Sequence, residues 1–331
     1  MWSISGHVDT LNILNRARET GRLASAYLLC GPAHIGKRAV ALALAKALNC
    51  LSASAPCGRC DQCSRIEAGS HPDVRVLEIS EVDNRRVISI EDVRDVLRQV
   101  LIKPFQGQWR VIIVDGADGL SDEAANALLK TLEEPPPQVV FMLLTTNTTR
   151  VLNTIRSRCQ HLFLHPLSSE SIYQVLVDDW GADEEKARKL SLLAQGGIGW
   201  AIRCVNDKSE LDKRLRRIEE LLFISQGSLE ERFAYAGDLA SVFLKDPSSI
   251  REVLDLWMFM WRDALLAKVW PPETTRPSDR MDHAEGWAER YTVVELIAAI
   301  RSLEWVRGLL EANVNPRLAL EGLVLALPRT S

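Results

Sequence analysis

The hydrophobic pattern changes period part-way along the chain. Up to about residue 165, short continuous apolar runs alternate with stretches whose apolar residues recur every three or four positions. "AYLLC" (26–30), "DVRVLEI" (73–79), "WRVIIVD" (109–115) and "VVFMLLTT" (139–146) are runs of the first kind. Rich in Val, Ile and Leu and without alternation, the last two predict strands covered on both faces, as in a parallel sheet. "KRAVALALAKALN" (37–49) and "SIEDVRDVLRQVLI" (89–102) carry helical spacing, the second opening on Ser89 with Asp92 three positions on, a capped start. In "SDEAANALLKTLEEPPP" Ser121 predicts a cap and Pro135, Pro136 and Pro137 a stop. Strands alternating with helices predict an α/β layer fold. From about 168 the strands cease. "SSESIYQVLVDDWG", "DEEKARKLSLLAQGG" and "GWAIRCVND" predict three short helices with glycine breaks, and 209–331 reads as long amphipathic helices, strongly interrupted at "WPPETTRPSD" (270–279). The expected organisation is an α/β domain over 1–166, a small helical domain over 167–208 and an all-α domain over 209–331.

Composition adds limits rather than function. At 331 residues the chain exceeds one small domain, and 47% apolar with 25% charged residues is ordinary for a globular protein. A formal net charge of −4 gives no global basic field, so any DNA contact needs a local patch or a partner. The opening "MWSISGHVDTLNIL" lacks a basic segment followed by an apolar one, and the longest apolar run, "VVFMLL", is far short of a membrane span. A cytoplasmic protein without a membrane partner is expected. In a reducing compartment the seven cysteines point to metal or free thiols rather than disulfides.

The first candidate chemistry lies at "GPAHIGKR" (31–38), after a predicted strand and before a predicted helix. In a G-x-x-x-x-G-K-[ST] loop, backbone N–H groups cradle phosphates, the lysine meets the terminal phosphates and the hydroxyl holds Mg²⁺. Gly31, Gly36 and Lys37 are in place, but Arg38 stands where the hydroxyl belongs and cannot ligate magnesium. "VIIVDGAD" keeps Asp115 for the metal shell yet puts Gly116 where an acid would activate water; Asp118, three residues on, is expected to point elsewhere. Loss of a metal ligand and a base removes most of the catalysis of phosphoryl transfer. ATP and Mg²⁺ binding is therefore expected to be weak or absent. Lys37 serves either residual nucleotide binding or a loop kept by packing.

The second lies at Cys50, Cys57, Cys60 and Cys63, two overlapping C-x-x-C steps with one cysteine upstream. Four thiolates with no open position suit a structural Zn²⁺. An iron–sulfur cluster is the rival metal, but ferredoxin runs continue with a further Cys-Pro where Glu67-Ala68 follows here, and free thiols are the remaining alternative. His71, beside a shell already filled, reads as a turn residue before Pro72.

With these residues in order, the chain resembles the bacterial DNA polymerase III clamp-loader subunits of the AAA+ class, and within them the delta-prime branch. "SGHVDTLNIL", "GRLASAYLLCGPAHIGK", the four-cysteine insert (50–63), "KPFQGQWRVIIVDGAD", "ANALLKTLEEPPP", "NTIRSRC", "WRDALLAK" and "NPRLALEGLVLAL" follow in family order, nearly end to end. The resemblance implies an AAA+ P-loop parallel-sheet domain with a zinc module, a helical lid and an all-α collar domain. It implies gamma/tau-type motor subunits, a delta subunit and the sliding clamp as partners, and primer-template DNA met mainly through the complex. It makes Arg158 of "SRC" an arginine finger acting on a neighbour's ATP, where residue type alone suggests an ion pair at a strand start. It assigns Thr145, Thr146 and Asn147 to a sensor region and puts Gly199, in "GGIGWAIR", where motor subunits carry a sensor arginine. Three losses in one hydrolytic site imply a stator that does not hydrolyse ATP. Two rival functions are an active motor ATPase that tolerates Arg38 and a zinc-knuckle nucleic-acid-binding protein. Lys103 and Lys130 are either DNA-backbone contacts or solvated helix residues. Trp257 reads as core, and Trp261 as core or subunit contact.

Overall fold

The computed structural model describes residues 2, 4–82, 85–270, 282–312 and 314–329. Apart from Trp270, the proline-rich break at 270–279 lies outside the described residues. Contacts divide the chain into two compact units, Met1–Val175 with Gly196–Trp200, and Leu176–Gln195 with Ala201–Ser331.

The first unit is built on a five-stranded parallel sheet in the order β2-β5-β6-β1-β7, with β1 Ala26–Cys30, β2 Val74–Glu78, β5 Arg110–Asp115, β6 Val139–Thr145 and β7 Gln160–Phe163. A short antiparallel pair, β3 Ser80–Val82 and β4 Arg85–Val87, stands apart. The runs without alternation are the strands buried on both sides: every residue of β1 and β6 is buried, and all of β5 but Asp115. Their side chains divide by parity, as a pleat requires. Ile112, Val114, Phe141 and Leu143 pack under α4 Ile90–Val100 and α5 Asp122–Glu133; Val111, Ile113, Val140 and Met142 pack with Leu14 of α1 Val8–Glu19 and Leu44 of α2 Lys37–Asn49. Each such side chain contributes about 1.5–3 kcal/mol of burial. Ser89 and Ser121 cap α4 and α5, accepting from the backbone N–H groups of Asp92 and Ala124. Between α2 and β2 lies the short helix α3 Asp61–Glu67, and α6 Asn153–Arg156 precedes β7. Because β5, β6 and β1 are adjacent and parallel, the segments leaving their carboxyl ends meet at one edge, where ligands bind in open α/β sheets.

The second unit is helical in its described residues. α7 Ser169–Asp178 and α9 Ile198–Asn206 each have residues in both units, and α8 Glu184–Leu193 lies in the second. Then follow α10 Lys208–Gln226, α11 Leu229–Lys245, α12 Pro247–Val269, α13 Asp282–Arg290, α14 Val293–Glu311 and α15 Pro316–Ala326. Ser228 with Glu231, and Thr292 with Glu295, form capping boxes that fix the starts of α11 and α14. Trp257 and Trp261 are both fully buried. Trp261 lies 4.2 Å from the Trp287 ring and 5.2 Å from that of Tyr291, so this aromatic cluster is core.

Candidate functional site

The loop of 31–38 runs from the end of β1 into α2, with Gly36 at φ 107° as the turn before the helix. Such a φ favours glycine. Lys37 is buried, and its Nζ donates to the carbonyls of Gly31 (2.7 Å) and Pro32 (2.6 Å). Burial pulls its pKa down to about 8, against the pull of Asp115 and Asp118 the other way. The lysine is thus satisfied by its own loop. Arg38 turns to the neighbouring strands: its guanidinium pairs with Glu78 at the end of β2 and lies 3.5 Å from Asp115 at the end of β5. Burial pushes the Asp115 carboxyl above its ordinary range, against the pull of Arg38 and Lys37. A fixed cation therefore stands beside the carboxylate that a magnesium ion would use.

The two other altered positions have backbone reasons. Gly116 has φ 99°, and a Cβ there would lie 2.7 Å from Cδ1 of Ile79, so an acid at 116 would be strained. The N–H of Gly199 donates to the His34 carbonyl at 2.8 Å, and a Cβ at 199 would lie 2.9 Å from that oxygen. The position where the resemblance puts an arginine is thus used for close backbone approach to the loop. Asp118 points to the end of β6: it accepts from the Thr145 hydroxyl at 2.8 Å. Asn147 in turn caps the turn of 148–150 through the Thr149 N–H. The sensor-like segment is held by the protein itself.

Arg158 is not part of this cluster. It follows α6 at the approach to the edge strand β7, its guanidinium donating to the Thr154 carbonyl (2.8 Å) and the Ser157 hydroxyl (3.3 Å) and pairing with Glu133 at the end of α5. Lys103 and Lys130 are exposed on the same unit. Among the described residues, no helix is long and apolar enough to cross a membrane.

Cys50, Cys57, Cys60 and Cys63 converge, with their Sγ atoms all within 4.8 Å of one another. Cys50 and Cys60 are 3.9 Å apart, against about 3.8 Å expected for the edge of a tetrahedron with 2.3 Å zinc–sulfur bonds. The N–H groups of Ser52 and Cys57 point at the Cys50 sulfur and that of Cys60 at the Cys57 sulfur, each at 3.4 Å. Four converging sulfurs at this spacing fit a tetrahedral Zn²⁺. The four cysteines would hold it, and it would supply a cross-link between the end of α2 and the start of α3. Chelation, or Cys57→Ser with Cys60→Ser, is expected to lower the unfolding temperature of the first unit and to release zinc in step. A metal-free protein of unchanged melting temperature would rule this out.

Behind the cluster sits a network that the sequence pattern did not single out. His71 does more than turn the chain: it is buried, donates through Nε2 to Gln62 on α3, and accepts the Asp73 N–H through Nδ1 at 3.0 Å. Asp73 has no exposed surface. Its carboxylate accepts from the N–H groups of Phe105 (2.7 Å), Gln106 (2.8 Å) and Gly107 (2.8 Å) and from Arg110 (2.8 Å). Arg110 also donates to the Gln99 carbonyl at the end of α4.

A family model described as "DNA polymerase III, delta subunit" matches residues 6–168. The gamma subunit of DNA polymerase III from Buchnera aphidicola is 31% identical over 242 residues, 70% of this chain and 64% of its own length. The delta-prime subunit from Bacillus subtilis is 28% identical over 96% of this chain and 94% of its own. The delta-prime subunit from Pseudomonas aeruginosa is 43% identical over 138 residues, 41% of this chain and 42% of its own. The match to the Buchnera subunit thus spans less than two thirds of that relative's length.

Proposed function

We propose that this chain, whose relatives support a clamp-loader subunit, is the member of that assembly that does not hydrolyse ATP and completes a neighbour's site with Arg158. The observation that carries this reading is Arg38. Its guanidinium lies between Glu78 and Asp115, where hydrolysis needs a divalent metal and a free carboxylate. Lys37, bound to its own loop carbonyls, and Gly116 in place of an acid weaken the site further.

In this reading the first domain, 1–166, is an AAA+ domain with a zinc module, 167–208 is its lid and 209–331 is a collar that packs with other subunits. The neighbours are gamma/tau-type motor subunits and a delta subunit, and the assembly opens the sliding clamp and places it on primed DNA. Lys103 and Lys130 are candidate contacts to the DNA backbone, of the kind that position without reading sequence. An active motor is the second reading, favoured by the likeness to the Buchnera gamma subunit and by the retained Lys37 and Asp115.

One experiment separates them. The pure chain, given Mg-ATP and primed DNA, is expected to show no sustained phosphate release, while adding it to the other loader subunits raises theirs. Steady turnover by the chain alone would establish the motor instead.

A further inference from the structure

Arg158 is held from two sides. On one side, Nη1 is taken by the neutral acceptors of its own turn, the Thr154 carbonyl and the Ser157 hydroxyl. The turn is fixed by the Arg158 N–H bonding to the Ile155 carbonyl at 3.0 Å. On the other side, Nη2 meets the carboxylate of Glu133. Glu133 is the last residue of α5, whose end is set by the Glu134 N–H bonding to the Lys130 carbonyl at 3.0 Å and by the proline run that follows. Both partners of the pair are thus set by rigid local structure, and both side chains remain partly exposed, 33% for Arg158 and 49% for Glu133.

We propose that Glu133 is a positioning residue for Arg158: its carboxylate holds the guanidinium in the unassembled chain and is displaced by a phosphate of the neighbouring subunit's nucleoside triphosphate. This rests on the reading of Arg158 as a finger that acts in trans. The swap concerns Nη2 alone. The Nη1 contacts can persist and keep the arginine aimed while one anion replaces another. The terminal phosphate offers more charge and more acceptor oxygens than a carboxylate, so it wins the exchange. A half-exposed pair of this kind opposes the exchange only by a factor of about 1.5–5. Glu133 therefore sets how much nucleotide is needed to engage the finger, without limiting the rate once it is engaged.

The test is Glu133→Gln in a loader assembled from full-length subunits, with turnover measured against Mg-ATP concentration. The half-saturating concentration at the adjoining site is expected to fall about 1.5–5-fold, with kcat unchanged, and the shift should shrink in high salt, which screens exposed pairs. Glu133→Ala should move it the same way, which guards against an effect peculiar to glutamine. A merely structural role would change stability or kcat and would not produce this split. Arg158→Ala in parallel separates the two claims. If that change lowers turnover while Glu133→Gln leaves half-saturation unmoved, raises it or lowers kcat, the role of Glu133 is overturned and the finger stands. If Arg158→Ala leaves turnover unchanged, both fall together.

Discussion

Replacing Arg158 with alanine in an assembled loader is expected to silence the adjoining nucleotide site while leaving the assembly intact. A guanidinium at the transferring phosphoryl group stabilises charge that grows in the transition state, and its loss costs a factor of about 10³–10⁵ at that site. The folded chain should tolerate the change. Arg158 lies near the surface, and its contacts are one backbone carbonyl, one hydroxyl and one half-exposed ion pair, a set worth at most about 1 kcal/mol for the pair. Whole-assembly turnover should therefore fall by the adjoining site's share, with subunit composition unchanged in size-exclusion profiles. Arg158→Lys makes the claim sharper. Lysine keeps the charge but not the planar fork, so it should recover only a small part of the lost rate. Full turnover in the alanine variant would remove the finger from the account, and equal recovery by lysine would reduce it to a point charge.

Local signals carried the sequence reading, and separation in sequence limited it. β1, α2, α4, β5, α5 and β6 lie where period, caps and prolines put them, within a residue or two at either end, because each signal sits inside the element it predicts. The cysteine cluster was legible for the same reason: its ligand candidates fall within one short insert. Arg38 was legible only as a missing hydroxyl. Its pairing with Glu78 depends on β2 lying beside β5, a fact of sheet order rather than of spacing. Gly116 and Gly199 were legible as missing side chains; that one sits at positive φ and the other abuts the His34 carbonyl belongs to the backbone path. α1 and the β3–β4 pair are short or weakly apolar and give no pattern of their own, and the edge strand β7 enters only as the strand start beside Arg158. Asp73 opens an apolar run that predicts a strand, whereas its partners lie more than thirty residues ahead. The faint trace it left is an acid opening one apolar run and an arginine opening another.

That carboxylate is where a single change should damage the first unit most. Burial alone would push the Asp73 carboxyl up, but the N–H groups of Gly107, Gln106 and Phe105 together with Arg110 overcome it and hold it down at about 2. Asp73→Asn removes the charge and turns an amide donor toward backbone donors, leaving the buried Arg110 unmatched. Breaking a buried pair from one side costs about 3–5 kcal/mol. For a unit of this size that lowers the melting temperature by roughly 10 °C. The loop at 105–107 should loosen with it, since all three of its N–H groups end on this one side chain. The pH dependence gives an independent check. The unfolded chain takes up this proton near the ordinary aspartate value, about 4, and the folded chain only near 2. Between those values the unfolded state binds more protons, so stability falls as pH falls. The contribution, about 2 kcal/mol, is complete above pH ~4 and is lost on the way down to ~2. The gap in stability between the natural protein and Asp73→Asn, followed by denaturant unfolding across that range, should therefore narrow as the solution is acidified. A gap that stays constant, or an asparagine variant as stable as the natural protein at neutral pH, would mean that the carboxylate does not anchor this end of the sheet.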